Sequence, residues 1–503
     1  MLRFAAFMTA LAILLLTLDH AMKLRHRDGM SKEYYSFPKD TFDVVFLGSS
    51  LPMYGILPLE LYEQYGIASY NLSTGNQSLG MSYYLAKEAI EKDHPSLIVL
   101  DCSRAVIEEE KTNTAFVHYA TDIMPYTSPN RISMIRDVAE RKDRNSLLFP
   151  LIAYHSRWQE METVDVNVRI KEGLYGSRLM VSTNEVVPFD EPEYLEGSLP
   201  ENNRVYLEEI IQLCRESGTS LLLMSMPIPG ENDFFDQIGY NYRWSLMKEV
   251  GDLARSEDVE FLGYVGREKE IGIDLETDVF DGEHLNRWGA AKFSSMLGKH
   301  IVENYDVPDR RGAGGVYDRF EEDLKEYPVC RMQSCLCNSS SLRRIAETLI
   351  EDAHDHPVGD AVVLLALNGK FNHETLGEIS AERLLKCGLK QNLYEWDGHG
   401  WLAVLDGGKV VYESDPSQHE TEDFADSTEG AAGVLQYSVS SGVLNEETGE
   451  VGSGASICVN RLEYTLPEDG LYCIAFNRNT GELLDACRIK LDSSTLGTEH
   501  YAP

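Results

Sequence analysis

The apolar positions of this chain fall in short continuous runs separated by amphipathic stretches. Val44–Leu47 is an uninterrupted apolar run that stops on Gly48, Ser49 and Ser50, the pattern of a buried strand ending in a tight turn. Ile67–Ser73 predicts a second strand and Ser96–Asp101 a third. Between them, Leu57–Tyr65 predicts a short helix and Met81–Lys92 a longer one. The longer helix carries Tyr84, Ala86, Ala89 and Ile90 on its apolar side, and Pro95 ends it. The pattern resumes with a helix over Asn203–Ser217, a strand over Ser220–Pro227, a helix over Tyr240–Ser256 and a strand over Val259–Tyr264. It closes with a helix over Arg287–Tyr305, in which Ala290, Phe293, Met296, Leu297 and Ile301 recur at helical spacing. Strands alternating with helices across short loops predict a parallel α/β sheet. Residues 105–200 carry no such period and read as insertions and surface loops.

The pattern then changes. Pro308–Gly315 (PDRRGAGG) opens a linker, taken as residues 306–345. Residues 346–495 hold short apolar runs punctuated by Gly, Asn and Asp turns, an all-β pattern. Gly400–Val411 and Gly470–Leu484 echo each other as strand, turn, strand. At the other end, residues 1–30 contain one long apolar run, Phe4–Leu18. Fifteen helical residues span about 22 Å, short of the roughly 30 Å of a bilayer core. Three readings stay open: a membrane anchor lengthened through its flanks, a cleaved signal segment, and a buried core helix.

Composition narrows the function classes. The 503 residues carry 45 Lys+Arg against 82 Asp+Glu, a formal net charge of −37, which argues against a nucleic-acid-binding surface. A hydrophobic fraction of 43% argues against disorder. Nine cysteines cannot all pair internally. Cys330, Cys335 and Cys337 cluster but lack a CxxC spacing and a nearby His, so zinc is not indicated there. Cys458 and Cys473 lie in adjacent strand-like runs, where they are bridged or simply buried.

Three pieces carry chemistry. Ser50, on the turn that ends the first strand, would present its hydroxyl at the C-terminal edge of the sheet with its own N–H ready to meet an oxyanion. Asn71–Gln77 follows the second strand; Gly75 in it allows close backbone approach and offers another N–H. Asp281-Gly282-Glu283-His284 stands just before the last helix, where the His can act as general base on Ser50 and the Asp can fix its tautomer. Arg104, and His155 and Arg157 in the stretch Ala153–Trp158, are candidates for binding a carboxylate or sugar.

Together these pieces resemble the SGNH/GDSL hydrolase family over residues 36–305. Gly48-Ser49-Ser50-Leu51 stands where that family has Gly-Asp-Ser-Leu, Gly75 matches its second-block Gly, and Asp281 and His284 match its D-x-x-H. In particular the chain is similar to membrane-anchored envelope members, the group of D-alanyl-transfer and exopolysaccharide O-acetylation proteins. The resemblance implies a three-layer parallel-sheet α/β domain, here followed by a β-rich C-terminal domain. It implies Ser50, His284 and Asp281 as a catalytic triad, with Ser50 and Gly75 as oxyanion donors and no cofactor or metal. It also implies ester hydrolysis or acyl transfer on an extracytoplasmic glycan or envelope polymer, with a membrane-bound O-acyltransferase as a partner. One departure stands out: the family's oxyanion Asn should follow the third strand, where this chain has Cys102-Ser103-Arg104. Asn76 or Gln77 is the candidate replacement. The competing expectation is a catalytically weak or inactive relative that binds polysaccharide or serves envelope assembly.

Overall fold

The first apolar run, β1 (Val44–Leu47), is buried along its whole length. It is the second strand of a five-stranded parallel sheet, between the edge strand β2 (Ser69–Asn71) and the central strand β3 (Leu97–Asp101). The sheet continues through β4 (Ser220–Ser225) to β5 (Glu260–Gly263), in the order β2-β1-β3-β4-β5. The computed structural model describes residues 2–22, 33–107, 114–149, 151–152, 175–180, 186–231, 236–275, 277–325, 327, 361–369, 382, 384–394, 400–415, 422–430, 433–444, 451–490 and 498–501. They divide into two compact units, Met1–Leu324 and Lys325–Pro503.

In the first unit α1 spans Leu2–Met22. Among the described residues no helix is long and apolar enough to cross a membrane. The central strands read as continuous apolar runs because both faces of the sheet are covered. One face packs on α3 (Pro58–Tyr65), which follows the short α2 (Ser50–Gly55), and on the final helix Arg287–Asn304. There Phe46, Val99 and Met224 meet Leu61, Phe293 and Leu297. On the other side lie α4 (Leu79–Asp93) and α5 (Glu201–Ser217), followed in the chain by α6 (Gln237–Ser256) and the final helix, α7. This is the parallel α/β sheet that the alternation predicted, in the three-layer form that the resemblance implied. The five helices predicted from Leu57 to Tyr305 lie within a few residues of their expected places. Ser50–Gly55, read as a turn, and Thr114–Thr121, Pro129–Val138 and Arg144–Leu148, read as loops, are helices as well.

Residues 306–324 depart from the linker expectation, because they pack on the first unit. Arg310 forms a two-pronged ion pair with Asp43, at 2.7 and 2.8 Å. Tyr317 donates to the Thr41 carbonyl, and Phe320 is fully buried among Phe37, Phe42, Tyr62 and Tyr175. Glu33 borders this aromatic cluster and accepts from the Tyr70 hydroxyl at 3.0 Å. Burial pushes its carboxyl up to about 7, against the pull of hydrogen bonds from the Tyr175 backbone and the Tyr70 hydroxyl and of the charge on Arg319. A carboxyl whose folded pKa is raised favours folding below its unfolded value of 4.5, and that benefit fades as pH rises to about 7. Stability is therefore expected to fall across that window by up to roughly 3 kcal/mol. Glu33→Gln should flatten the fall, as read from urea unfolding at pH 4.5 and pH 8.

The second unit is built of antiparallel sheets, as its turn-punctuated sequence implied. Six strands run in the order β15-β14-β13-β6-β7-β8: β6 (Ala361–Asn368), β7 (Leu402–Asp406), β8 (Lys409–Glu413), β13 (Gly470–Asn477), β14 (Leu483–Ile489) and β15 (Thr498–His500). The other sheet orders β12 (Leu462–Glu463), β11 (Val451–Val459), β10 (Gly433–Leu444) and β9 (Glu422–Gly430). Val362, Leu364 and Ile474 of the larger sheet meet Tyr437, Val439 and Ile457 of the smaller one. The opposite face of the larger sheet is covered by Leu384, Leu389, Leu393 and Trp401, so β6 is buried throughout. The two echoing segments are the β7–β8 and β13–β14 hairpins, which flank β6 on either side. Cys458 lies on β11 of the smaller sheet and Cys473 on β13 of the larger. Both are free thiols.

Candidate active site

Asp101 ties together the strand ends that carry the site. It closes β3, is buried, and accepts hydrogen bonds from Ser103 N and Oγ at 3.1 and 2.6 Å and from Met226 N, just beyond β4, at 3.2 Å. Burial pushes its carboxyl up, against the pull of those donors. Ser49 donates to the same carboxylate at 3.5 Å, which brings in the end of β1. The approach is too close for a side chain between them. A Cβ on Gly48 would lie 2.7 Å from Asp101 Cβ and 2.6 Å from Pro52 Cγ. Ser49 also caps α2 by accepting from Leu51 N at 3.4 Å, so Ser50 is the first helical residue, partly exposed above the sheet edge.

The second arm of the site is a tight loop. Val279 and Leu285 form a bridge, Phe280 N donates to the His284 carbonyl at 2.8 Å, and buried Asn286 caps α7 by accepting from Trp288 N and Gly289 N. Within it Asp281 Oδ1 accepts from Glu283 N and His284 N, both at 2.8 Å, and lies 2.9 Å from His284 Nδ1; Oδ2 lies 3.0 Å from the same nitrogen. Burial raises the Asp281 pKa, but the His284 hydrogen bond and charge and the two backbone donors outweigh it and hold the carboxyl below its ordinary value. Asp281 is thus an anion at neutral pH. It draws the proton of His284 to Nδ1 and leaves Nε2 as the acceptor. Ser50 Oγ lies 2.8 Å from that Nε2, and the Tyr54 ring meets the imidazole edge-on, with centroids 5.3 Å apart.

The loop is held from outside as well. Glu283 pairs with Arg243 of α6 at 3.3 Å, and Gly230 N donates to the Gly282 carbonyl at 3.0 Å. The Pro227–Gly230 segment thereby buttresses the acid–base arm. A Cβ on Gly282 would meet the carbonyl oxygens of Glu231 at 2.4 Å and Gly230 at 2.5 Å, and backbone cannot step aside cheaply. Gly282→Ala is expected to cost about 1–3 kcal/mol of stability. Through displacement of His284 it should also cost up to about 10²-fold in kcat. Denaturant melts and esterase kinetics on the same preparation would check both.

A cavity of about 130 Å³ opens beside Ser50, lined also by Met53, Tyr54, Thr74, Gly75, Tyr119 and Arg178. Of the expected site residues, Ser50, His284 and Asp281 come together, and Gly75 stands in the cavity wall. Gln77 does not supply a side-chain donor there. It is buried, its oxygen accepting from Thr74 Oγ1 at 2.9 Å and its nitrogen donating to Ser82 Oγ at 3.0 Å, so it braces the loop from inside. Asn76 likewise does not line the cavity; its Oδ1 accepts from Arg104 Nη1 at 3.2 Å. Arg104 therefore holds the loop and lies outside the lining. His155 and Arg157 lie outside the described residues. Tyr119 and Arg178 had no signal in the sequence, since both come from the stretch without periodicity. Arg178 is placed by its own N–H, which donates to the Met53 carbonyl of α2 at 2.9 Å.

No protein-family model and no curated protein matches the chain. Among the solved structures similar to it are two bacterial proteins. A candidate acylhydrolase from Bacteroides fragilis has 11% identity over 53% of this chain and 89% of its own, with a TM-score of 0.27. A GDSL-like lipase from Bacteroides thetaiotaomicron has 10% identity over 56% of this chain and 99% of its own, with a TM-score of 0.29. Likenesses of this size carry no argument about chemistry, which rests on the geometry around Ser50.

Proposed function

We propose that the first unit is a serine esterase or O-acyltransferase working through Ser50, His284 and Asp281. The observation that carries this reading is the chain of contacts at 2.8 Å from Ser50 Oγ to His284 Nε2 and 2.9 Å from His284 Nδ1 to Asp281 Oδ1. Ser50 Oγ attacks the ester carbonyl carbon while His284 Nε2 takes its proton. The tetrahedral oxyanion is met by the backbone N–H groups of Ser50 and Gly75. The C–O bond to the leaving alcohol then breaks, and the alcohol leaves with the proton from His284. The acyl-serine passes its acyl group to water or to another hydroxyl, whose proton returns through His284.

The cavity supports a short acyl group, since about 130 Å³ is well below the ~300–1,000 Å³ of pockets for drug-sized ligands. Along nitrophenyl esters from acetyl to octanoyl, kcat/KM is expected to fall by about tenfold or more. A flat or rising series would contradict a small acyl site. The same proposal takes the physiological substrate as an acylated extracytoplasmic glycan or envelope polymer. It takes residues 1–30 as the anchor or signal segment, and a membrane-bound O-acyltransferase as the donor of the acyl group.

The second reading is a weak or inactive relative that binds polysaccharide or serves assembly. It is favoured by one observation: no side-chain amide among the described residues lines the cavity. Such a donor contributes about 10²–10³ in rate. Absence of any turnover of a short ester by folded protein would decide for this reading.

A further inference from the structure

We propose that the second unit holds a zinc-type metal site formed by Asp485, Cys487 and His500. The topology of the six-stranded sheet brings these residues together. Asp485 and Cys487 are two apart on β14 and share a face, and Cys487 stands directly across from His500 on β15. One donor atom from each lies within 4.8 Å of the others. A tetrahedral zinc with bonds of about 2.0–2.3 Å needs donor separations of about 3.3–3.8 Å, so modest contraction completes the site. His500 Nδ1 already lies 3.0 and 3.1 Å from the two carboxylate oxygens of Asp485.

The donor chemistry selects the kind of ion. Thiolate, imidazole and carboxylate together suit zinc and its borderline neighbours, whereas magnesium and calcium take oxygen ligands. The fourth position is open to water; Cys473 of β13, the cross-strand partner of Cys487, stands beside the site but outside the group of three. The hydrogen bond to Cys473, together with burial, pushes the Cys487 thiol up, so without a cation it stays protonated. A bound dication would convert Cys487 to the thiolate and release its proton. The site also answers a structural need. Among the described residues β15 pairs with β14 through three residues, a short edge that a metal shared between the two strands would clamp. The alternative is an Asp485–His500 ion pair beside buried thiols, which binds no cation.

Cobalt(II) reports directly on thiolate ligation. Full-length reduced protein, stripped with chelator, should take up one cobalt per chain and show a sulfur-to-cobalt charge-transfer band. Cys487→Ser should abolish the band, and His500→Gln should weaken affinity by about 100-fold. Zinc should raise the melting temperature of the wild type, and at the same zinc concentration raise that of His500→Gln markedly less. If Cys487→Ser does not fold, the half-exposed His500 variant still decides. No thiolate band in reduced wild type would overturn the proposal. So would a band that survives both substitutions, which would put the metal on other thiols such as Cys330, Cys335 and Cys337.

Discussion

Ser50→Ala is expected to lower kcat for a short-chain nitrophenyl ester by about 10³–10⁴-fold with the fold unchanged. Loss of the nucleophile in a complete serine hydrolase site costs about 10⁶-fold. Here no side-chain amide among the described residues lines the cavity, and such a donor is worth about 10²–10³, so the fall from a slower starting point is smaller. The hydroxyl is partly exposed and its contact is with His284 Nε2, so its removal leaves no buried polar group behind. A circular dichroism melt within a degree or two of wild type, beside the lost turnover, would separate chemistry from folding.

The second large effect belongs to Asp281→Asn. Its oxygen could still accept from Glu283 N and His284 N, so the loop keeps its shape. Its NH₂ group would then sit where Oδ2 lies now, 3.0 Å from His284 Nδ1, and would donate to that nitrogen. The histidine proton moves to Nε2, where it faces Ser50 and can no longer be replaced by the serine proton. In buried sites the wrong tautomer costs about 10⁴-fold. Asp281 is 32% exposed, and water can relieve part of the mismatch, so about 10²–10³-fold is expected. Asp281→Glu, which keeps the charge but not the reach, should fall between the wild type and the amide.

Much of this was legible in the chain because the informative residues are local. Val44–Leu47, Leu97–Leu100 and Leu221–Met224 are continuous apolar runs, and only a sheet covered on both faces explains such strands. Ser50 and Gly75 follow their strands directly, and Asp281–His284 precede a capped helix, so backbone order alone placed them at one edge. Other features are set by partners far away in sequence. The glycine-rich stretch at 308–315 reads as a linker until Arg310 meets Asp43, 267 residues away. Whether Gln77 points into the cavity or inward depends on Ser82 and Thr74 lying within its reach, which composition does not encode. Arg178 and Tyr119 reach the cavity from stretches with no period to read. The neighbourhood of Cys473, Cys487 and His500 exists only through the register of three antiparallel strands.

The central claim is that Ser50 is a nucleophile activated by His284. Intact-mass analysis after incubation with a fluorophosphonate tests it most directly, with wild type and Ser50→Ala side by side and both shown folded. One adduct per wild-type chain, mapped to the peptide containing Ser50 and absent from the alanine variant, is the expected result. An unlabelled folded wild type, or the same adduct on both proteins, would contradict it.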